Sequence, residues 1–332
     1  MTDFIPLERD PKWSAFNEHT WQSFQENYLP KFDLISSVNE EVRKQYRAIR
    51  KLMAYSFFEY EFFDIAAAQM SMLMEMAMVW KYEDVTGEPW KKKFKKGEPR
   101  RDLKNLFEWL GANGHLDATH FASADLLRGT RNYYAHPKKH GFGGGINLTR
   151  IKELLFLINE FYDSNLSLRN SLAKEFHVWI DRNQTTRKIL NMPNGGFPLA
   201  DLMIAFIDCS TETPNYFIVC FPLLKLNEID QSSPYSPQTL LFIQLVNIGF
   251  HDGYLTGVEV LSGKEIRIES ADSATTQLID QWHNELETMP HVAAQMPAWR
   301  FTQAFKIVED LKTKYYNSLS DAAQNTPSTM PG

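Results

Sequence analysis

TLLFIQLVNIGFHDGYLTGVEVLSGKEIRIES, residues 239–270, holds three short runs of β-branched and aromatic residues divided by two turns. HDGY at 251–254 and SGKE at 262–265 have hairpin turn chemistry, so the stretch reads as an antiparallel meander. Working upstream, NYFIVCFPLL at 215–224 and DLMIAFIDC at 201–209 have the same strand character, and this character begins near His177. Downstream, helices are expected at about 272–288 and 298–318, followed by a disordered tail ending in TPSTMPG.

The first half reads differently. Between Pro30 and Gly87 there is no Pro or Gly, and Ser36, Ser37 and Asn39 precede Glu40 and Glu41 as a helix start. One very long helix or two stacked ones follow, with a core face from Phe57 onward through Phe58, Phe62, Ile65, Met72, Met76 and Val79. The methionines at 70, 72, 74, 76 and 78 read as pliable core filler. Asp102 is positioned to cap a short helix through Leu106, Trp109 and Leu110 that stops at Gly111 and Gly114. A third helix is expected from about Phe121 to His136, ended by Pro137. After the GFGGG loop at 141–145, Ile151, Leu154, Leu155, Ile158 and Phe161 mark a fourth, continuing to about Phe176. The expected class is α+β: an N-terminal extension (1–38), an all-α bundle (39–176), a mixed β-rich domain (177–320) and a tail (321–332).

At 332 residues with 43% apolar composition, the chain can bury a sizeable core, which excludes a disulfide-stapled miniprotein. Cys209 and Cys220 have neither metal-site spacing nor a second pair. The first thirty residues lack a continuous apolar region, and the expectation is a cytoplasmic protein without export signal or membrane span. The net charge of −6 is uneven: residues 81–140 carry 13 Lys and Arg against 8 Asp and Glu. Within that window Lys91, Lys92, Lys93, Lys95, Lys96, Arg100, Arg101 and Lys104 form a basic run, either a solvated loop or an anion-facing patch.

The most informative motif is LLRGTRNYYAHPKKH at 126–140. It sets Asn132 directly after Arg131, Ala135 before His136, and His136 at an expected helix end after a run of helices. In that company the motif resembles the HEPN family, the higher eukaryotes and prokaryotes nucleotide-binding domains, over roughly residues 40–175. The resemblance implies a four- or five-helix bundle with an Arg-x4-His site, metal-independent endoribonuclease activity without a cofactor, and pairing of two bundles into a homodimer. It places the catalytic residues at Arg131, His136 and Asn132, and implies a toxin or antiphage-defence effector restrained or triggered through its C-terminal domain by a ligand or regulatory protein. A Tyr two places after the His, common in bundles paired with a nucleotidyltransferase, is replaced here by Lys138. The alternative is a catalytically inactive HEPN-like module that dimerises or binds a nucleotide or protein.

The chemistry agrees with the resemblance. Histidine titrates near neutral pH and can take the proton of a ribose 2′-hydroxyl, while an Arg fork neutralises the phosphate in the transition state. With the 2′-hydroxyl as nucleophile no metal is required and DNA is excluded. Five residues separate Arg131 from His136, an offset of about 140° on an ideal helix, whereas Arg128, Asn132 and His136 share a row. Convergence therefore requires a distorted last turn or a second subunit. Arg128, Tyr133, Lys138, Lys139 and the basic run are the candidate RNA contacts. The bland alternative is a His at a helix dipole and an Arg paired with Glu75 or Asp125. His136 and His140 have a zinc-like spacing interrupted by Pro137, so no metal site is expected. Arg169-Asn170 repeats the Arg-Asn pair without a following His at the right distance, and His115 and His120 read as surface residues.

Overall fold

The computed structural model describes residues 8–90, 103–116, 144–183, 186–193, 195–223 and 240–324. It combines helices with a closed six-stranded β-barrel. Two compact units are defined: 1–167 with 316–332, and 168–315.

The first unit is helical. A 3-10 helix (Pro11–Phe16) leads to α1 (Trp21–Tyr28), α2 (Glu40–Tyr55), α3 (Glu61–Thr86), α4 (Leu103–Ala112) and α5 (Gly144–Tyr162). The start expected before Glu40 is the cap of α2, where Asn39 Oδ1 accepts from the Glu41 N–H at 2.9 Å. No Pro or Gly divides α2 from α3; distant residues do. Trp13 Nε1 donates to the Ser56 carbonyl at 2.6 Å and the Asp10 carboxylate accepts from Tyr60 N–H at 2.9 Å, satisfying groups that a continuous helix would pair internally. Residues 8–38 are thus not an extension. Trp13, Phe24 and Tyr28 are buried in the core, with the Trp13 and Tyr28 rings edge-on to Phe63 and the Phe24 ring tilted against Phe57.

Helix α3, on which α2, α4 and α5 pack, buries the opposite face from the one its 3–4 spacing suggested. Phe63, Ala66, Ala67, Met70, Leu73, Met74, Ala77 and Met78 face inward, whereas Ile65 and Met72 are 44% and 51% exposed. The alanines let neighbouring backbones approach closely, a benefit that a tally of large apolar residues overlooks. By length and composition α3 could also cross a membrane, although half of its most apolar window is buried within this unit.

Asn159 on α5 is fully buried: its Oδ1 accepts from Ile35 N–H at 2.9 Å and its Nδ2 donates to the Asp33 carbonyl at 3.0 Å. Asn159→Leu orphans both backbone groups and is expected to cost on the order of 3 kcal/mol, read as a lowered urea midpoint with unchanged m. Gly144 and Gly145, expected in a loop, open α5. The helix expected over 121–136 and the TPSTMPG tail lie outside the described residues.

The second unit contains α6 (Leu166–Arg182, within this unit from Leu168), β1 (Lys188–Met192), β2 (Gly195–Asp208), β3 (Asn215–Pro222), β4 (Leu241–Phe250), β5 (Tyr254–Glu259), β6 (Glu265–Ser270), α7 (Ser273–Glu287) and most of α8 (Pro290–Gln324). Each strand pairs antiparallel with the next, and β6 returns to β1 to close the barrel. Both expected hairpins form; Gly253 and Gly263 have φ of 80° and 65°, which a side chain would oppose. Leu190, Ile218, Cys220, Ile243, Leu245, Leu255, Ile266 and Ile268 lie in the buried core, with Arg267 exposed between the last two in period-2 alternation. Burial pushes the Cys220 thiol up to about 12, so it stays protonated and inert.

The boundary expected at 176/177 falls instead at 167/168, because Phe176 and Trp179 of α6 pack into the barrel core. The strand at Lys188–Met192 was not anticipated, and α8 runs to Gln324, beyond the residue 321 at which the tail was expected. Arg169 is structural: its guanidinium lies 4.7 Å from both the Phe206 and Tyr315 ring centroids, and its Nε donates to the Ile207 carbonyl.

Candidate functional site

All of the sequence-derived site residues fall outside the described residues: Arg131, Asn132 and His136, together with Arg128, Tyr133, Lys138, Lys139, Lys91, Lys92, Lys93, Lys95 and Lys96, and the His136/His140 pair. In sequence they sit on either side of α4. The described residues next to the basic run form an aromatic cluster. The Tyr82 ring meets Trp90 at 4.9 Å and Trp109 at 4.8 Å, and Trp109 stacks on His115. His115 is therefore half-buried rather than a surface residue; desolvation and the nearby Lys81 cation lower its pKa, so it is neutral at pH 7.

The acidic cluster of Asp10, Glu59 and Glu61 is already employed in the fold. Asp10 accepts from Lys12 N–H and Tyr60 N–H, and Lys12 Nζ pairs with Glu61. Hydrogen bonds from Glu59 and Lys12 hold the Glu61 carboxyl at about 2.

The second unit carries a cavity of about 490 Å³ that sequence reasoning missed. One wall is a stripe of α6, Ser171, Lys174, Glu175, Val178, Trp179 and Arg182, with Asn183 just past its end; the other is Phe250, His251 and Asp252 at the β4–β5 turn. The only sequence signal was the polar i, i+3, i+4 row on a helix whose opposite side is apolar. The turn is held rigidly in place. A bulge between Val246 and Gly249 bends β4, with Asn247 left-handed at φ 53°. A Cβ at Gly249 would stand 2.9 Å from His251 Nε2, so only glycine fits without a shift. Trp179 Nε1 donates to the His251 carbonyl at 3.1 Å, tying helix to turn. The His251 ring stacks on Tyr254 at 4.5 Å, whose ring lies 3.9 Å from the Arg267 guanidinium, itself paired with Glu269 at 2.7 Å.

The C-terminus of α6 is fixed by Lys188. Its ammonium donates to the Asn183 carbonyl at 2.8 Å, the Thr186 carbonyl at 3.2 Å and Thr186 Oγ1, and it lies 5.7 Å from the Trp179 ring centroid. Burial lowers its pKa, but every donor is occupied, so it holds the helix end in place rather than acting as a nucleophile.

Compared with protein-family models, with curated proteins and with solved structures, the chain matches none.

Proposed function

We propose that the protein is a metal-independent endoribonuclease of HEPN type, an α+β chain in which an N-terminal HEPN-like bundle is followed by a β-rich domain that regulates it. The carrying observation is the Arg131-Asn132…His136 motif, which lies between α4 and α5 of a helical unit. His136 exchanges the proton of the 2′-hydroxyl, Arg131 neutralises the phosphate, and Asn132 orients the pair. Arg128, Tyr133, Lys138, Lys139 and the basic run from Lys91 to Lys96 hold the flanking strand. A cytoplasmic toxin or antiphage role follows from the need to keep such an activity restrained. The test is incubation of the full chain with total RNA and with DNA in excess EDTA. RNA fragments ending in 2′,3′-cyclic phosphate, with DNA untouched, are the expected result; intact RNA from both the full chain and any activated state favours the binding-module alternative.

Pairing of two chains is the second part of the reading, and the outward face of α3 supports it. Phe62, Ile65, Gln69, Met72, Met76 and Val79 recur at alternating spacings of three and four, the pattern of a helix–helix seam. Ile65, Gln69 and Met72 are exposed and the other three half-exposed. One polar position, Gln69, sits mid-seam, where such residues set register. Ile65→Glu combined with Met72→Glu is expected to convert a dimer to a monomer in light scattering, and to lower RNA cleavage by about tenfold or more because charge cannot be buried there unpaired.

A further inference from the structure

The cavity between α6 and the β4–β5 turn has a composition that selects a ligand class. Two cations, Lys174 and Arg182, lie two turns apart on α6, and two carboxylates, Glu175 on α6 and Asp252 on the turn, share the same walls. Among the described residues none of these four forms an ion pair. Trp179 and Phe250 are pinned by the barrel core and Val178 is exposed, so the lining also offers a flat apolar surface. A purely anionic ligand would meet Glu175 and Asp252 unfavourably, and a purely cationic one would meet Lys174 and Arg182 in the same way. Both pairs are satisfied together by a molecule with an anionic end and, at the other end, a flat ring carrying N–H donors.

We propose that this cavity is a binding site for a nucleoside monophosphate or a molecule of that chemistry. Its phosphate lies against Arg182, its base rests on the adjoining Trp179, Phe250 and Val178 surface, Glu175 and Asp252 accept from the base N–H groups, and Lys174, two turns away, adds to the positive potential of the wall. The volume of about 490 Å³ is in the range of small-molecule sites. The bulge at Asn247 and the Trp179–His251 hydrogen bond set the backbone of the turn before any ligand arrives, so the ordering cost falls on the exposed side chains of α6 rather than on the turn. The inference concerns binding alone and stands whether or not the helical unit cuts RNA.

The experiment is calorimetric titration of the full-length chain with guanosine 5′-monophosphate, whose base presents two parallel N–H donors to a carboxylate. Adenosine and cytidine 5′-monophosphates, inorganic phosphate and 1-naphthoate, a flat anion without donors, are run alongside. Saturable nucleotide binding is expected, with 1-naphthoate and phosphate each weaker by about tenfold or more. Arg182→Gln is expected to weaken nucleotide binding by about tenfold, Lys174→Gln by about threefold, and Glu175→Gln to narrow the gap between nucleotide and 1-naphthoate. Ser171→Trp, a change at an exposed position, is expected to abolish binding by filling the cavity. All four positions are exposed, so an unchanged melting curve shows that each variant is folded. The proposal is overturned by no saturable nucleotide binding up to about 2 mM, by equal affinity for 1-naphthoate, or by unchanged binding in both cation variants.

Discussion

His136→Ala is expected to lower RNA cleavage in excess EDTA by about 100- to 10,000-fold, and Arg131→Ala by a similar factor. The two losses have different causes, which makes them separable. Without His136 the 2′-hydroxyl keeps its proton and the leaving oxygen lacks a donor, so the pH dependence of the residual rate flattens between pH 5 and 8. Without Arg131 the imidazole still titrates, so the pH profile keeps its shape while the rate drops, and Arg131→Lys restores only part of it because an ammonium cannot bridge two phosphate oxygens. The double variant should be little worse than either single one, since groups acting on one transition state are not additive. Cleavage that survives both changes would sink the assignment. Asn132→Ala is expected to have a smaller effect, consistent with an orienting role.

Trp13→Ala carries the largest expected effect on stability. Trp13 is fully buried, and its ring lies 4.7 Å from both Phe24 and Tyr28, 5.1 Å from Tyr60 and 5.6 Å from Phe63. Truncation leaves a ring-sized cavity that the surrounding aromatics cannot fill by rotamer changes alone, a cost of about 3–5 kcal/mol. It also removes the donor to the Ser56 carbonyl at the break between α2 and α3. Trp13→Phe isolates that hydrogen bond: most of the ring remains, and a loss of about 1–3 kcal/mol is expected. Calorimetry of the full chain should place both losses in the transition of the helical unit, lowered by about 10 °C for the alanine variant, and leave the barrel transition in place. Equal shifts in both transitions, or none, would contradict the assignment of Trp13 to the core of the first unit.

Much of the fold was legible because its signals are local. The start of α2 lies in Asn39 and the two glutamates after it, and the β4–β5–β6 meander lies in HDGY and SGKE, turns whose backbone demands few residue types satisfy. The candidate catalytic residues were legible as a motif. The groove of the second unit was not, because Ser171 and Asp252 are 81 positions apart in sequence and each looks like ordinary polar surface. Residues 8–38 looked like an appendage for a similar reason: an isolated Trp13 or Asp10 gives no hint of the distant backbone groups it satisfies.

Taken alone, the amino-acid sequence determined that helices precede strands, where several helices begin, and that hairpins occupy the second half, all consequences of hydrogen bonding and periodicity within a few residues. Only the tertiary structure decided which stripe of α3 turns inward. That helix has two apolar faces, and the choice goes to the one whose Ala66, Ala67 and Ala77 admit close neighbours. Barrel closure was decided at the same level, because β6 must find β1 across some eighty residues, a pairing that no local pattern encodes. The same long-range closure sets the β4–β5 turn beneath α6, and with it the cavity whose charges and flat floor define a ligand.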